Sequence, residues 1–343
     1  MTYNRQLVGS KMIHIYSDID RIEAAAWRSL EASETANWFQ TREAYAFYSA
    51  VPEEMQPFCF AAEEDSRLVG VMQGYLTQTG SRLKQWFTRR AIIVGGPMLS
   101  DTISDAALEQ LLLNARRQLS SQAIYIETRN FNDYSRWRPV FDRCGFAYQP
   151  HLNFHVDTSS AEQMEALISK SRKRDIKTSL RDGATLVEQP TLEQVHAFYA
   201  ILLQLYRTKV KTPLPSWRFF EMLYHQPHAQ FLLVAFEGQI IGGTACVCLP
   251  GKAVYEWYVC GKDGRYEHIF PSSLATYSGM RYAADNGYPR FDMMGAGKPN
   301  ETYGVRDFKA RFGGKEVEHG RFLHVCKPLL YAIGVCGVKL LKL

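Results

Sequence analysis

The segment Gly304-Val305-Arg306-Asp307-Phe308-Lys309-Ala310-Arg311-Phe312-Gly313-Gly314 interleaves basic and aromatic residues between glycines. It follows Phe291-Asp292-Met293-Met294-Gly295-Ala296-Gly297 by a short loop. Lys309, beside Phe308, is the strongest single candidate for chemistry. A cation held in place beside an apolar ring stabilises an oxyanion, the charge that develops when an acyl group is transferred. Arg306 and Arg311 suit phosphates or a terminal carboxylate, because a guanidinium offers paired donors to such groups. Tyr303, just ahead of them, is taken as a further substrate-binding candidate. The plainer reading of Lys309 is a salt bridge to Asp307 or Glu316.

Asp292 stands at the end of a strand-like run, ahead of Gly295 and Gly297. A carboxylate there can orient an amine or accept a proton. It can equally cap the loop or pair with Arg290. The nine histidines show no partnered spacing, and His151 and His155 read as packing or surface residues. Neither a GxSxG nor an HExxH motif occurs. Seven cysteines, an odd number without paired spacing, argue for reduced thiols in a cytoplasmic protein and for no metal site. Cys246 and Cys248 alternate in an apolar run and are expected on one buried strand face.

The 343 residues suit two domains of common size. With 46% hydrophobic and 22% charged residues, the chain is a folded rather than a disordered one. A net charge of +5 does not imply coating by nucleic acid, so anion binding must come from local patches. The first residues carry no apolar core of signal-peptide length, and Pro328 to Val338 is too short to span a bilayer.

Hydrophobic spacing, caps and turns give an order of elements that repeats. The first half reads as a strand at Lys11–Tyr16, helices to Leu30 and at Arg42–Ser49, and strands at Phe58–Glu63, Leu68–Thr77 and Trp86–Val94. A helix capped near Asp101 or Ser104, the strand Ile124–Ile126, a helix at Asp133–Arg143 and an extended Phe146–Val156 complete it. The second half reads Ala184–Glu188, a helix opened by the Thr191/Gln194 capping box, a helix from Ser216, and a hairpin through Glu237-Gly238. Ala253–Cys260, a helix from Pro271, Arg290–Met294, a helix at Val305–Arg311 and a strand at Val317–Val325 follow. The order is that of the GNAT acyltransferase fold. The expected fold is therefore α/β (α+β), with two tandem GNAT-like domains at 1–157 and 158–343, each a mixed sheet flanked by helices. A linker helix spans 159–181 and a tail 326–343. On that helix Lys170, Lys173, Arg174, Lys177 and Arg181 fall on one side, either a solvated face or an anion-binding ridge.

Three segments together resemble the Fem family of peptidoglycan-bridge aminoacyltransferases. Ser171–Lys177 is similar to the family's basic helix ending in isoleucine-lysine, and Phe291-Asp292 with Gly295 supports it. Asp307–Gly314 carries the family's phenylalanine-lysine-x-x-phenylalanine-glycine tail. The resemblance implies transfer of an aminoacyl group from charged tRNA to an amine of a murein precursor, without cofactor or metal. It puts Phe308 and Lys309 at the aminoacyl ester, with Lys309 stabilising the developing charge. Arg172, Arg174 and Lys177 join Arg306, Arg311, Asp292 and Tyr303 as substrate-binding candidates.

The chain departs from the family in lacking a long coiled-coil arm, since only Thr208–Pro215 separates the helices there. A CoA-dependent N-acyltransferase of cell-wall or exopolysaccharide synthesis stays open as an alternative, as does a non-catalytic precursor-binding scaffold. Against CoA, Gly261 and Gly264 lack the usual phosphate-turn spacing, and Pro97 removes a donor from Gly95-Gly96-Pro97. The apolar tail with Lys327, Lys339 and Lys342 suggests contact with the inner membrane surface, or else a docked terminal helix.

Overall fold

The computed structural model describes residues 6–8, 11–78 and 87–341. The chain forms two compact units, one of residues 1–150 with 319–343, the other of residues 151–318.

In the first unit the strands are β1 (Gln6–Val8), β2 (Lys11–Tyr16), β3 (Met55–Glu64), β4 (Arg67–Thr77), β5 (Ala91–Gly95), β6 (Met98–Leu99), β7 (Tyr125–Asn130) and β8 (Ala147–Gln149). Its helices are α1 (Ala24–Leu30), α2 (Arg42–Ser49), α3 (Asp105–Leu119) and α4 (Arg138–Arg143). Ser104 caps α3 by accepting from Ala107 N at 3.1 Å. The capped helix lays Leu108, Leu111, Leu112 and Ala115 on the core with Phe60, Met72 and Ile126. Trp86 of the expected strand Trp86–Val94 lies outside the described residues.

The second unit contains β9 (Leu152–Asp157), α5 (Ala161–Leu167), α6 (Lys170–Arg181), β10 (Thr185–Val187), α7 (Leu192–Leu205), α8 (Trp217–Tyr224), β11 (Ala229–Phe236), β12 (Gln239–Leu249) and β13 (Ala253–Gly261). These are followed by α9 (Pro271–Asp285), β14 (Arg290–Asp292), α10 (Gly304–Ala310) and β15 (Lys315–Glu318). The Thr191/Gln194 capping box forms in full. Glu237 and Gly238 both take positive φ in the β11–β12 turn, the geometry of a tight hairpin.

Two expected strands are each two. Phe146–Val156 breaks at Pro150-His151, and Val317–Val325 breaks at His319-Gly320. Each break sends the chain from one sheet to the other. β16 (Arg321–Val325) pairs with β7 and β8, while β9 pairs with β14 and β15. The first sheet thus runs β1-β2-β3-β4-β5-β7-β16-β8, with β6 on β4, and the second β10-β11-β12-β13-β14-β9-β15. This corrects the single boundary between residues 157 and 158. A strand's sheet is decided by its pairing partner, which local pattern does not name. The tail helix α11 (Pro328–Leu341) belongs with the first unit.

The expected linker helix is also two. Ile168 turns extended (ψ 133°), and Ser169 caps α6 from outside by accepting from Arg172 N at 3.4 Å. Ser169 N donates to Arg311 O at 3.0 Å. Gly313 takes φ 81° with its missing Cβ position 2.5 Å from Leu167 O, so only glycine fits. The Phe-Gly end of the tail motif is therefore what holds the α5–α6 break.

Candidate active site

β13 and β14 run parallel but share only the pairs Val254↔Phe291 and Tyr255↔Asp292. β13 then continues to Gly261 against β12 alone. β14 ends at Asp292 after those two pairs, and the loop that follows it carries the candidate residues. That loop is tightly wound: Met294 (φ 53°), Gly295 (φ 103°) and Gly297 (φ 79°) all leave the ordinary region. A left-handed methionine costs energy and persists only where neighbours impose it. Here Met294 N donates to Asp292 Oδ1 at 2.8 Å and Gly295 N to Asn153 Oδ1 at 2.8 Å.

α10 is strapped to this loop by two cations three residues apart. Lys309 Nζ donates to Met293 O and, at 2.8 Å, to Gly295 O. Arg306 donates through Nε to Ala296 O at 3.0 Å, through Nη1 to Pro299 O at 3.3 Å, and through Nη2 to Lys298 O. Lys309 is only 6% exposed. Burial lowers its pKa, against the raising pull of Glu256 and Asp292. An ammonium has three donors. Two are fixed on carbonyls and set the geometry, and one remains for a third acceptor.

Asp292 is fully buried, yet its carboxyl is held below the usual range. Burial pushes it up, and the charge and hydrogen bond of His155 with Arg290 and Asn153 more than offset this. His155 Nε2 lies 3.0 Å from Oδ2, and Asn153 Nδ2 donates to Oδ1 at 2.7 Å. Asp292 therefore fixes the loop from below and stays ionised. Glu256, on β13 where the strands part, is the opposite case. It is 3% exposed, and neither carboxylate oxygen has a well-aligned hydrogen-bond partner. Thr276 Oγ1 lies alongside, and its hydroxyl favours the charged carboxylate. Burial pushes the Glu256 carboxyl up to about 7, tempered by the Lys309 charge.

Phe308 and Phe312 meet at 5.2 Å, edge to face. The Arg172 guanidinium covers both, 4.6 and 5.0 Å from the ring centroids. Arg172 also donates to Ser273 Oγ and lies 3.6 Å from Asp175. Its role is to brace the aromatic pair from α6. Arg174, with its side chain 77% exposed, and Lys177 instead line a shallow groove of about 520 Å³ with Lys170, Lys173 and Arg181. Arg311 and Tyr303 are exposed at the two ends of α10. Among the described residues no cluster of His, Cys, Asp and Glu is arranged to hold a metal ion.

Residues 169–309 match the family model described as "Acetyltransferase (GNAT) domain". Over 91% of this chain and 98% of the other, the structure resembles that of FemX, with a TM-score of 0.70 at 13% identity. It also resembles a tandem GNAT protein of the clavulanic acid biosynthesis pathway, at TM-score 0.54 and 10% identity over 92% of this chain and 98% of that one. A third likeness is to the C-terminal domain of an Agrobacterium fabrum protein named as a lysylphosphatidylglycerol synthetase, at TM-score 0.56 and 13% identity over 92% and 96%. The chain has the tandem GNAT fold. No curated protein matches its sequence.

The two tandem GNAT-like units expected from the sequence are the fold observed. In the second GNAT-like unit the turn Gly261–Arg265 leads into α9. There Asp263 Oδ1 accepts from Ser272 N at 3.1 Å, and Pro271 supplies no donor. The helix N-terminus that would receive an anion already holds the chain's own carboxylate.

Of the residues expected from the sequence, Lys309, Phe308, Asp292, Arg306 and Arg172 come together, but Arg306 and Arg172 spend their donors inside the unit. Glu256, His155 and Asn153 were missed. The one available signal for Glu256 was a lone acid in the apolar run Ala253–Cys260.

Proposed function

We propose that the protein is a Fem-type aminoacyltransferase that passes an aminoacyl group from charged tRNA to an amine of a murein precursor. The observation that carries this reading is Lys309: a buried ammonium, beside Phe308, fixed by two carbonyls at the end of β14 with one donor to spare. In the reaction the acceptor nitrogen attacks the ester carbonyl and a C–N bond forms. The carbonyl oxygen becomes an oxyanion, which the free Lys309 donor receives. The ester C–O bond then breaks, and the proton lost by the amine goes to the departing ribose oxygen. Arg174, Lys177 and the rest of the basic face of α6 supply the attraction for the phosphates of the donor. Arg311 and Tyr303 border the same helix as Lys309 and are assigned to contacts with substrate.

A CoA donor is disfavoured by Asp263, whose carboxylate would repel a pyrophosphate at α9. The tail helix exposes Leu329 (82%) and Ile333 (68%) beside Lys327, which suits contact with an anionic membrane surface where lipid-linked precursors reside. No described helix is long and apolar enough to cross a membrane.

The test is label transfer from mixed charged tRNA to a soluble murein pentapeptide precursor, with wild type and Lys309→Ala compared. Transfer lost in the variant supports the reaction and the role. Equal transfer by the two proteins would overturn the role of Lys309. Transfer from acyl-CoA but not from tRNA would replace the donor, and binding of precursor without turnover from either donor would favour a scaffold.

A further inference from the structure

The Met293 and Gly295 carbonyls that take the Lys309 ammonium belong to the first and third of three successive peptide groups. A trans peptide points its N–H opposite its C=O, so each carbonyl is aimed by whatever takes the N–H behind it. Behind Met293 O is the N–H of Met294, which goes to Asp292 Oδ1 at 2.8 Å. Behind Gly295 O is the N–H of Ala296, which goes to Leu152 O at 2.7 Å. The middle peptide joins Met294 to Gly295, both at positive φ, and its rotation sets the angle between the other two. Its N–H goes to Asn153 Oδ1 at 2.8 Å.

Asn153, on β9, is 4% exposed. Its Oδ1 also accepts from Phe154 N at 2.8 Å, and its Nδ2 donates to Asp292 Oδ1 at 2.7 Å, with His155 Nε2 3.5 Å away. These partners fix which way round the amide sits, since the reverse orientation would set its two donors against two backbone N–H groups. On either side of the arch, Phe154 O takes Met293 N at 3.1 Å and Leu152 O takes Ala296 N, so the backbone of β9 holds the ends. The two N–H groups between them are held by side chains, Asp292 and Asn153.

We propose that Asn153 is a positioning residue of the site: its amide fixes the middle peptide and aims the Asp292 carboxylate, and through them it holds the Met293 and Gly295 carbonyls on the Lys309 ammonium. This inference rests on the reading of Lys309 given above. An apolar side chain at this position leaves the Gly295 N–H and a buried carboxylate oxygen without these partners, and nothing then holds the arch. Lys309 stays on α10 but loses its fixed direction, and a donor out of line with the oxyanion stabilises it little.

The experiment compares full-length wild type, Asn153→Ala and Asn153→Asp. Hydrogen exchange of the Lys309 ammonium is followed by NMR with isotope-labelled lysine, the resonance being assigned with Lys309→Arg. In Asn153→Ala this exchange should be roughly tenfold faster. The kcat for transfer should fall by about tenfold, while KM for the donor changes by less than about twofold. Asn153→Asp keeps the size and the acceptor for Gly295 N but sets a second carboxylate against Asp292, beside His155 and with Arg290 acting on the same carboxylate. Its exchange should also exceed that of wild type near neutral pH, and the excess should close in acid, where one shared proton replaces the amide donor. Wild-type exchange in a folded Asn153→Ala protein overturns the proposal, as does faster exchange with an unchanged kcat. If Asn153→Ala does not fold, Asn153→Asp carries the comparison, and exchange equal to wild type at every pH overturns the proposal there. Faster exchange in proteins that transfer nothing from tRNA would sustain the coupling and sink the proposed reaction instead.

Discussion

The two units solve the same problem differently at their parallel strand pair. In the first, β5 and β7 stay together through five register pairs, from Ala91↔Ile126 to Gly95↔Asn130. Gln40 reinforces the junction by donating to Gln73 O and Val94 O at 2.9 Å, and Tyr134 donates to Pro97 O at 2.6 Å. Its acid, Glu127, is bound by Arg129 at 2.6 Å and Arg321 at 3.3 Å. In the second, β13 and β14 share two pairs and the acid at the parting, Glu256, has no such partner. One fold plan thus yields a sealed junction and an open one. A buried acid clamped by two arginines marks a scaffold, and a buried acid without such a clamp marks where a reacting group can be stabilised.

The largest expected effect breaks the open side. Lys309→Ala should lower transfer by an amount equivalent to about 2–4 kcal/mol of transition-state stabilisation and leave the fold intact, as read by label transfer and circular dichroism. On the sealed side, Glu127→Gln should cost roughly 2 kcal/mol in denaturant unfolding and leave transfer unchanged. The partly open arginines keep that loss below the value for a fully buried pair. An equal effect of both substitutions on transfer would erase the contrast between the junctions.

The two carboxylates should also tilt stability against pH in opposite directions. Burial pushes Glu127 up, but Arg129 and Arg321 win and hold it down at about 2, from an ordinary 4.5. Its contribution is present above 4.5 and lost as pH falls toward about 2. Glu256 is raised from 4.5 to about 7, so the folded state binds its proton more tightly, and stability is lost as pH rises through that window. The second slope, worth on the order of 3 kcal/mol, should vanish from the melting curves of Glu256→Gln. The smallest effect sharpens the aromatic brace: Arg172→Lys keeps the charge but not the flat stacking on Phe308 and Phe312, and should cost about 1 kcal/mol in unfolding. A neutral result would make the stacking incidental.

Signals carried within a few residues were legible in the sequence. The Thr191 capping box, the Ser104 cap, Pro271 at a helix start and the Glu237-Gly238 turn each depend on neighbours in the chain, and each forms as read. The α5–α6 break was not legible, because Ile168 and Ser169 continue a helical pattern until Arg311 and Gly313 hold the chain extended there. His155 read as packing because its partner, Asp292, lies on another strand and has no spacing relation to it.

The sequence by itself determined the alternation of elements, the doubled acyltransferase plan and the Phe308-Lys309 segment, since period, caps and turn residues act locally. Only the tertiary structure decided that β9 and β16 close opposite sheets, and that Arg306 and Arg172 are spent on loop carbonyls and aromatic rings. It also decided that Glu256 is buried on β13 without an arginine partner. Those outcomes depend on which distant groups are buried together, where a charge or a hydrogen bond is decided by the partners in space rather than by neighbours in the chain.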